Sequence, residues 1–183
     1  MDEVNLTAQE LAELKLLQKT QAFAKGSILI REGDLVSHYY TVVQGCVRTY
    51  SILNDEEVTV DFYTEGQAIV SNVTTSQNRS PYFVVCEENC VLQVVDEAME
   101  KAVFERLPRL KDVCRQQSER LLVEAQSEFA KFKSYSPEQR YQHLLQVRPG
   151  LLERVPQYQI ASYLGIKPES LSRLRKRMAQ RSN

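Results

Sequence analysis

The spacing of apolar positions changes twice along the chain. Leu6, Leu11, Leu14, Leu16 and Leu17 stand among acidic and polar residues near the start. Thr7 followed three residues later by Glu10 is a capping box, so a helix is predicted from Ala8. From Phe23 onward the helical spacing gives way to short β-branched and aromatic runs: KGSILIREGD, YYTVVQGCVRTYSI, EEVTVDFYTEG and SPYFVVCEENCVLQVVD. Gly26, Gly33, Gly45, Gly66 and the pair Asn54–Asp55 punctuate them. Runs of this length between turn signals predict an antiparallel barrel or sandwich. The stretch from Gly66 to Arg79 breaks the texture and reads as a longer loop with a short helical piece.

Helical spacing returns at Asp96. DEAMEKAVFERL leads to Pro108, which suits the first turn of a new helix. From Pro108 no glycine or proline follows until past Tyr135. Leu107, Leu110, Cys114, Leu121, Ala125, Phe129 and Phe132 trace one stripe, interrupted by Gln117 and Ser118. A helix of ~40 Å cannot cover that stripe against a small barrel, whereas pairing with a second copy about a two-fold axis can. Ser136, Pro137 and Glu138 start the next helix, with Tyr141, Leu144, Leu145 and Val147 as its apolar face. Arg148, Pro149 and Gly150 end it, and LLERV reads as a short bridge.

The most closely specified stretch is Gln157–Met178. Ile160, Ala161 and Leu164 form one helix face, and Leu171 and Leu174 another. Gly165 between them can take a positive φ, and Pro168 suits the first turn of the second helix. Glu169, Ser170, Ser172, Arg173, Lys176 and Arg177 are left on the outside. These side chains can reach base edges and phosphates, so two short helices with a basic outer face predict a helix–turn–helix.

Charge sharpens this picture. Residues 134–183 hold 9 Lys+Arg against 3 Asp+Glu, a net +6 within a chain whose total is −1. An acidic body with a basic end implies that the end alone meets polyanions. The composition, 43% hydrophobic and 26% charged, is that of an ordinary soluble protein, and no apolar run approaches a membrane span. The N-terminus is acidic and unlike a signal peptide, so the expected location is the cytoplasm. Cys46, Cys86, Cys90 and Cys114 form no CxxC, and His38 and His143 stand apart, so reduced thiols and no metal site are expected. No nucleophile–base pair or phosphate loop argues for an enzyme.

Lys25, Gly26, Ile28, Leu29, Gly33, Tyr40, Val42, Gly45, Val47 and Arg48 spell KGxILxxxGxxxxxxYxVxxGxVR. This pattern, followed by the long helix and the helix–turn–helix, resembles the Crp–Fnr transcription regulators over essentially the whole chain. The resemblance implies an α+β chain in three parts. An N-terminal helix and a cyclic-nucleotide-binding-like β-roll sensor span 1–107, a dimerisation helix 108–134 and a helical DNA-binding domain 135–183. It implies a homodimer on a near-palindromic operator, with double-stranded DNA, a second copy and RNA polymerase as partners. Glu169, Ser170 and Arg173 become the base-facing residues, and Lys167, Lys176 and Arg177 the phosphate contacts. Leu110, Cys114, Leu121, Ala125 and Phe129 become the dimer contact. Members that bind cyclic AMP carry a G-E-L-[AG]-L cassette followed by R-[ST]-A. Here Gly66 and Gln67 begin the first half, without the Glu, and Arg79 and Ser80 the second, with Pro81 replacing Ala. Those four residues mark the effector site, and the missing carboxylate leaves the identity of the effector open. Many relatives add a β-hairpin wing. Only AQRSN follows Met178, so phosphate contacts are expected from the helices alone. A second reading stays open, in which the chain is an interaction module whose C-terminal helices take a protein partner.

Overall fold

The computed structural model describes residues 7, 10, 19–69 and 79–181. At the N-terminus the Thr7 N–H donates to Glu10 Oε2 at 2.7 Å, and the Glu10 N–H to Thr7 Oγ1 at 3.2 Å, the reciprocal bonds of a capping box. Leu6, Leu11, Leu14, Leu16 and Leu17 lie outside the described residues.

Among the described residues eight strands follow: β1 (Lys19–Phe23), β2 (Ile28–Ile30), β3 (His38–Gln44), β4 (Val47–Leu53), β5 (Glu56–Tyr63), β6 (Ala68–Ile69), β7 (Phe83–Cys86) and β8 (Cys90–Asp96). They form two four-stranded antiparallel sheets, ordered β1-β8-β3-β6 and β2-β7-β4-β5. Ile30, Val42, Val47, Ile69, Val84, Cys86, Cys90 and Leu92 fill the space between them. The hairpin β4–β5 turns at Asn54 and Asp55, with φ of 51° and 62°. Two consecutive left-handed residues match the twist of the flanking strands, and Asn and Asp tolerate that region best after glycine. At Gly45 the constraint is steric as well, since a Cβ there would lie 2.6 Å from Cys90 Sγ and 2.9 Å from its Cα. Cys46, Cys86, Cys90 and Cys114 are all free thiols. Burial pushes Cys46 and Cys86 up to about 12, away from thiolate chemistry.

β1 is absent from the sequence-based reading. KTQAF pairs in full register with β8 from Lys19↔Val94 to Phe23↔Cys90, yet four of its five residues are exposed. An edge strand with no buried face carries no period-2 signal.

Helix α1 (Glu97–Arg106) starts at Asp96, whose side chain accepts from the Met99 N–H at 2.7 Å. Helix α2 (Arg109–Ser134) is 26 residues long. Along the predicted stripe only Leu110 is buried, while Leu121 is half-buried and Cys114, Ala125 and Phe129 face outward. Leu122 and Val123 add to the exposed apolar surface. Phe132, at the end of the stripe, lies under the turn at Gly165, where a Cβ would approach its ring to 3.0 Å.

Helix α3 (Pro137–Val147) opens with a full capping box between Ser136 and Gln139 and buries Tyr141 and Leu144. Val147 departs from the predicted apolar face and is 54% exposed. The expected bridge LLERV is a helical turn, α4 (Leu151–Arg154), whose Leu151 and the following Val155 are buried. Helices α5 (Gln157–Tyr163) and α6 (Pro168–Arg181) complete the chain. Between them the Ile166 N–H donates to Ala161 O and the Gly165 N–H to Ser162 O, both at 3.0 Å, with Gly165 at φ 66°. This is a Schellman motif, which requires the left-handed residue that Gly165 provides. The core under these helices is built from Tyr141, Leu144, Leu151, Val155, Ile160, Ala161, Leu164, Leu171 and Leu174, and it also takes in Cys46 of the β3–β4 turn and Phe62 of β5.

Candidate nucleic-acid interface and sensor seam

The five apolar residues of the α5–α6 pair, Ile160, Ala161, Leu164, Leu171 and Leu174, are all within 5% of complete burial. That fixes which side of α6 remains outside. Glu169, Arg173, Lys176 and Arg177 are exposed along it, Ser170 is half-buried, and Lys167 is exposed just before it. Arg173 Nη2 lies 3.4 Å from Ser170 Oγ, and Arg177 Nη2 lies 2.9 Å from Glu138 Oε2 at the start of α3. A groove of about 330 Å³ runs along this side, lined by Pro137, Ile166, Ser170, Arg173, Leu174 and Arg177. The predicted base-facing and phosphate-facing residues therefore share one surface.

The other side of the α5–α6 pair is covered. Phe62 of β5 meets Tyr163 edge-on, with ring centroids 5.7 Å apart. Ser162 Oγ accepts from the Thr59 N–H at 2.9 Å. Around this contact runs a set of charges that sequence reasoning missed. Arg148 Nη1 pairs with Asp61 Oδ1 at 2.7 Å and donates to Phe62 O at 2.9 Å. Arg154 forks onto Glu65 with two bonds of 2.8 Å and also meets Glu88. Gln159, buried in α5, donates its amide to both oxygens of Glu87 at 3.0 Å. Glu87 in turn takes Arg48 Nε, and Arg48 Nη2 reaches Glu57 at 2.6 Å. Arg48 is 4% exposed, so burial works against its charge, but Glu57 and Glu87 outweigh that and hold it protonated. The visible signal was the charge asymmetry itself: an acidic body and a basic end fit one another as well as they fit a polyanion.

The four expected effector residues lie at two turns. Gly66, at φ 81°, donates its N–H to Val42 O at 2.8 Å. Gln67 turns its Oε1 back onto the Thr64 N–H at 2.8 Å and the Thr64 hydroxyl at 3.2 Å. Arg79 Nη1 donates to Gly33 O at 2.6 Å, and the buried Ser80 hydroxyl to Tyr82 O at 2.7 Å. Residues 70–78, between the two turns, lie outside the described residues. Gly66, Gln67 and Ser80 thus bond within or beside their own turns, while Arg79 reaches across to the turn at Gly33. Among the described residues no group of three His, Cys, Asp or Glu could hold a metal ion, and no helix is long and apolar enough to cross a membrane.

Residues 20–106 match the family model of the cyclic nucleotide-binding domain. The complete arrangement is similar to solved structures along most of their length. FixK2 from Bradyrhizobium japonicum superposes with a TM-score of 0.77 at 16% identity, covering 90% of this chain and 86% of that one. The c-di-GMP responsive global regulator CLP of Xanthomonas campestris gives 0.73 at 15% identity, with 96% and 93% covered. The catabolite activator protein of Thermus thermophilus gives 0.60 at 21% identity, with 98% and 86% covered. No curated protein sequence matches the chain. Over those residues, just under half of the chain, the sheets are similar to a cyclic nucleotide-binding domain. The chain as a whole has the mixed α+β fold of the Crp–Fnr regulators, from antiparallel sheets through the long helix to the C-terminal helix–turn–helix.

Proposed function

We propose that the chain is a homodimeric, DNA-binding transcription regulator whose sensor half controls the position of its α6 reader. The observation that carries this reading is the outer side of α6. Glu169, Arg173, Lys176 and Arg177 are exposed together, while the apolar residues of the same helix are buried beneath them. An exposed basic helix of this length fits the major groove. Arg173 can fork onto guanine and Glu169 can accept from a cytosine amino group. Lys167, Lys176 and Arg177 supply phosphate contacts, which position without specifying. Pairing through α2 is supported by the outward-facing Leu122 and Phe129, seven residues apart on one side of the helix, which a single copy leaves to water. Two readers related by a two-fold axis would enter grooves ~34 Å apart on a near-palindromic site. RNA polymerase would be the further partner of such a regulator.

Salt titration of duplex binding tests the reading. Affinity should fall with salt at a log–log slope of about −0.9 per phosphate contact. Arg173→Ala should abolish discrimination between operator and unrelated DNA. Full discrimination by that variant in a gel-shift titration would remove Arg173 from its role, and salt-insensitive binding would remove the DNA reading. For the sensor, the c-di-GMP response of the Xanthomonas regulator and the sensor's own family make cyclic nucleotides the first probes. A ligand at 100 times its Kd adds about 2.7 kcal/mol to stability. Because Gln67 replaces the carboxylate and is turned onto Thr64, no thermal shift is expected with cyclic AMP.

A further inference from the structure

We propose that Arg154 is the positioning residue that couples the Thr64–Gln67 turn of the sensor to the reader. Its guanidinium is where the two halves share a clamp. Nη1 and Nη2 reach Glu65 Oε2 and Oε1 at 2.8 Å each, and Nε lies 3.1 Å from Glu88 Oε1, which Nη2 also meets. Neither end of this clamp is loose. Glu65 Oε1 also accepts from the Gly45 N–H at 2.9 Å. The next residue, Gly66, is bonded to Val42 O. On the reader side Arg154 ends α4 and is flanked by Val155, which is buried in the same core as Leu151, Ile160 and Leu171. One side chain therefore ties three sensor turns, at Gly45, at Thr64–Gln67 and at Glu87–Asn89, to the segment that begins the reader.

Arginine is the residue type this junction needs. A planar fork of five donors can hold one carboxylate with two bonds and still present a third donor to another, whereas an ammonium acts as a point charge. The arrangement makes the coupling reciprocal. A displacement of the Thr64–Gln67 turn carries Glu65 away from the fork, and a displacement of α4 and α5 pulls on the same turn. Two sites that share one contact bias each other by the same free energy. The inference rests on reading α5–α6 as the DNA reader and Gly66–Gln67 as part of the effector region, but the clamp can be tested without DNA or effector.

Native-state hydrogen exchange on the full chain is the test, with two amides as probes. Thr59 N–H is bonded across the seam to Ser162 Oγ, so it reports separation of reader and sensor. Gly66 N–H, bonded to Val42 O, reports the turn. In Arg154→Gln both amides should exchange about tenfold faster, with the α6 amides unchanged, since residues in one network couple by enough to give that factor. Glu65→Gln should produce the same pair of changes, and the double variant no more than either single one. Arg154→Lys should recover only part of the protection. Acceleration at Gly66 with Thr59 unchanged, or additive effects in the double variant, would overturn the coupling. Coupled exchange in a protein that shows no salt-sensitive DNA binding would leave the clamp standing and remove the reader. Uncoupled exchange in a protein that binds DNA would do the opposite.

Discussion

Helices α5 and α6 are neighbours in sequence and share one core, yet their outer sides meet opposite environments. The outer side of α5 is spent on the sheets: Gln159 is buried against Glu87, Ser162 caps the Thr59 amide, and Tyr163 lies on Phe62. The outer side of α6 is exposed and basic. The basic residues divide in the same way. Arg148 and Arg154 neutralise carboxylates of the sheet domain, while Lys167, Arg173 and Lys176 stay at the surface. A positive count over residues 134–183 therefore overstates the charge offered to a polyanion. Part of it is internal glue between the halves, and only the α6 share belongs to the proposed interface.

The comparison breaks most completely if the shared core is removed. Leu171 is 1% exposed between the two helices. Leu171→Ala should cost about 2–5 kcal/mol, read by denaturant unfolding, and should disturb both sides together. The next largest effect should come from the seam alone. Glu87→Ala leaves the buried Arg48 Nε without its carboxylate, with Glu57 still on Nη2, and takes both Glu87 oxygens from the Gln159 amide. Loss of one partner of a buried charge pair costs about 3 kcal/mol or more, and a change below 0.5 kcal/mol in the same unfolding experiment would mean that Arg48 finds water when Glu87 is gone. Both variants test stability and neither touches α6's outer side.

How much of this was legible follows from where the signal sits. The α5–α6 pair could be read directly because its information is local. Five apolar positions, one left-handed glycine and one proline at a helix start fall within 15 residues of each other, and each agrees with the others. The sheets were legible wherever one face is buried, as in β4 and β5, and illegible in β1, whose edge position leaves its side chains in water. Helix α4 was read as a bridge because four residues are too few for periodicity. The seam was illegible for a different reason. Arg154 and Glu65 are 89 positions apart, and a charged residue at a strand end or in a short turn looks the same in sequence whether it is solvated or clamped. Only the fold brings the two charge populations into contact.

On the exposed side the effects should be smaller and differ in kind. Lys176→Ala should weaken binding to operator and unrelated DNA alike and reduce the salt slope by about 1, measured by titration at several salt concentrations. Glu138→Gln separates Arg177 from its present partner, which lies 2.9 Å away. It should strengthen DNA binding and steepen the slope slightly, because a guanidinium engaged by a carboxylate must leave it to meet a phosphate. A weaker complex in Glu138→Gln would mean that Glu138 orients Arg177 for DNA rather than competing with it.

The smallest expected effect is a pH dependence that separates the seam from the reader. The fork of Arg154 holds the Glu65 carboxyl down to about 2, against an unfolded value near the usual ~4.3 for glutamate. A group depressed in the folded state contributes its stability above the unfolded value and loses it as pH falls through the folded one. The contribution should therefore be complete above about pH 5 and decline between pH 4.3 and about 2. Glu65 is half exposed, with 47% of its side chain in water, so solvent screens the pair and limits the effect to about 1 kcal/mol or less. Unfolding midpoints of the parent and of Glu65→Gln, followed from pH 6 downward, should converge as the acid protonates. Arg173→Ala, on the outer side of α6, should track the parent throughout. Convergence places the acid-sensitive charge on the side that faces the sensor. A constant gap between parent and Glu65→Gln at all pH values would show that the fork contributes through geometry and hydrogen bonding alone, with no linked proton.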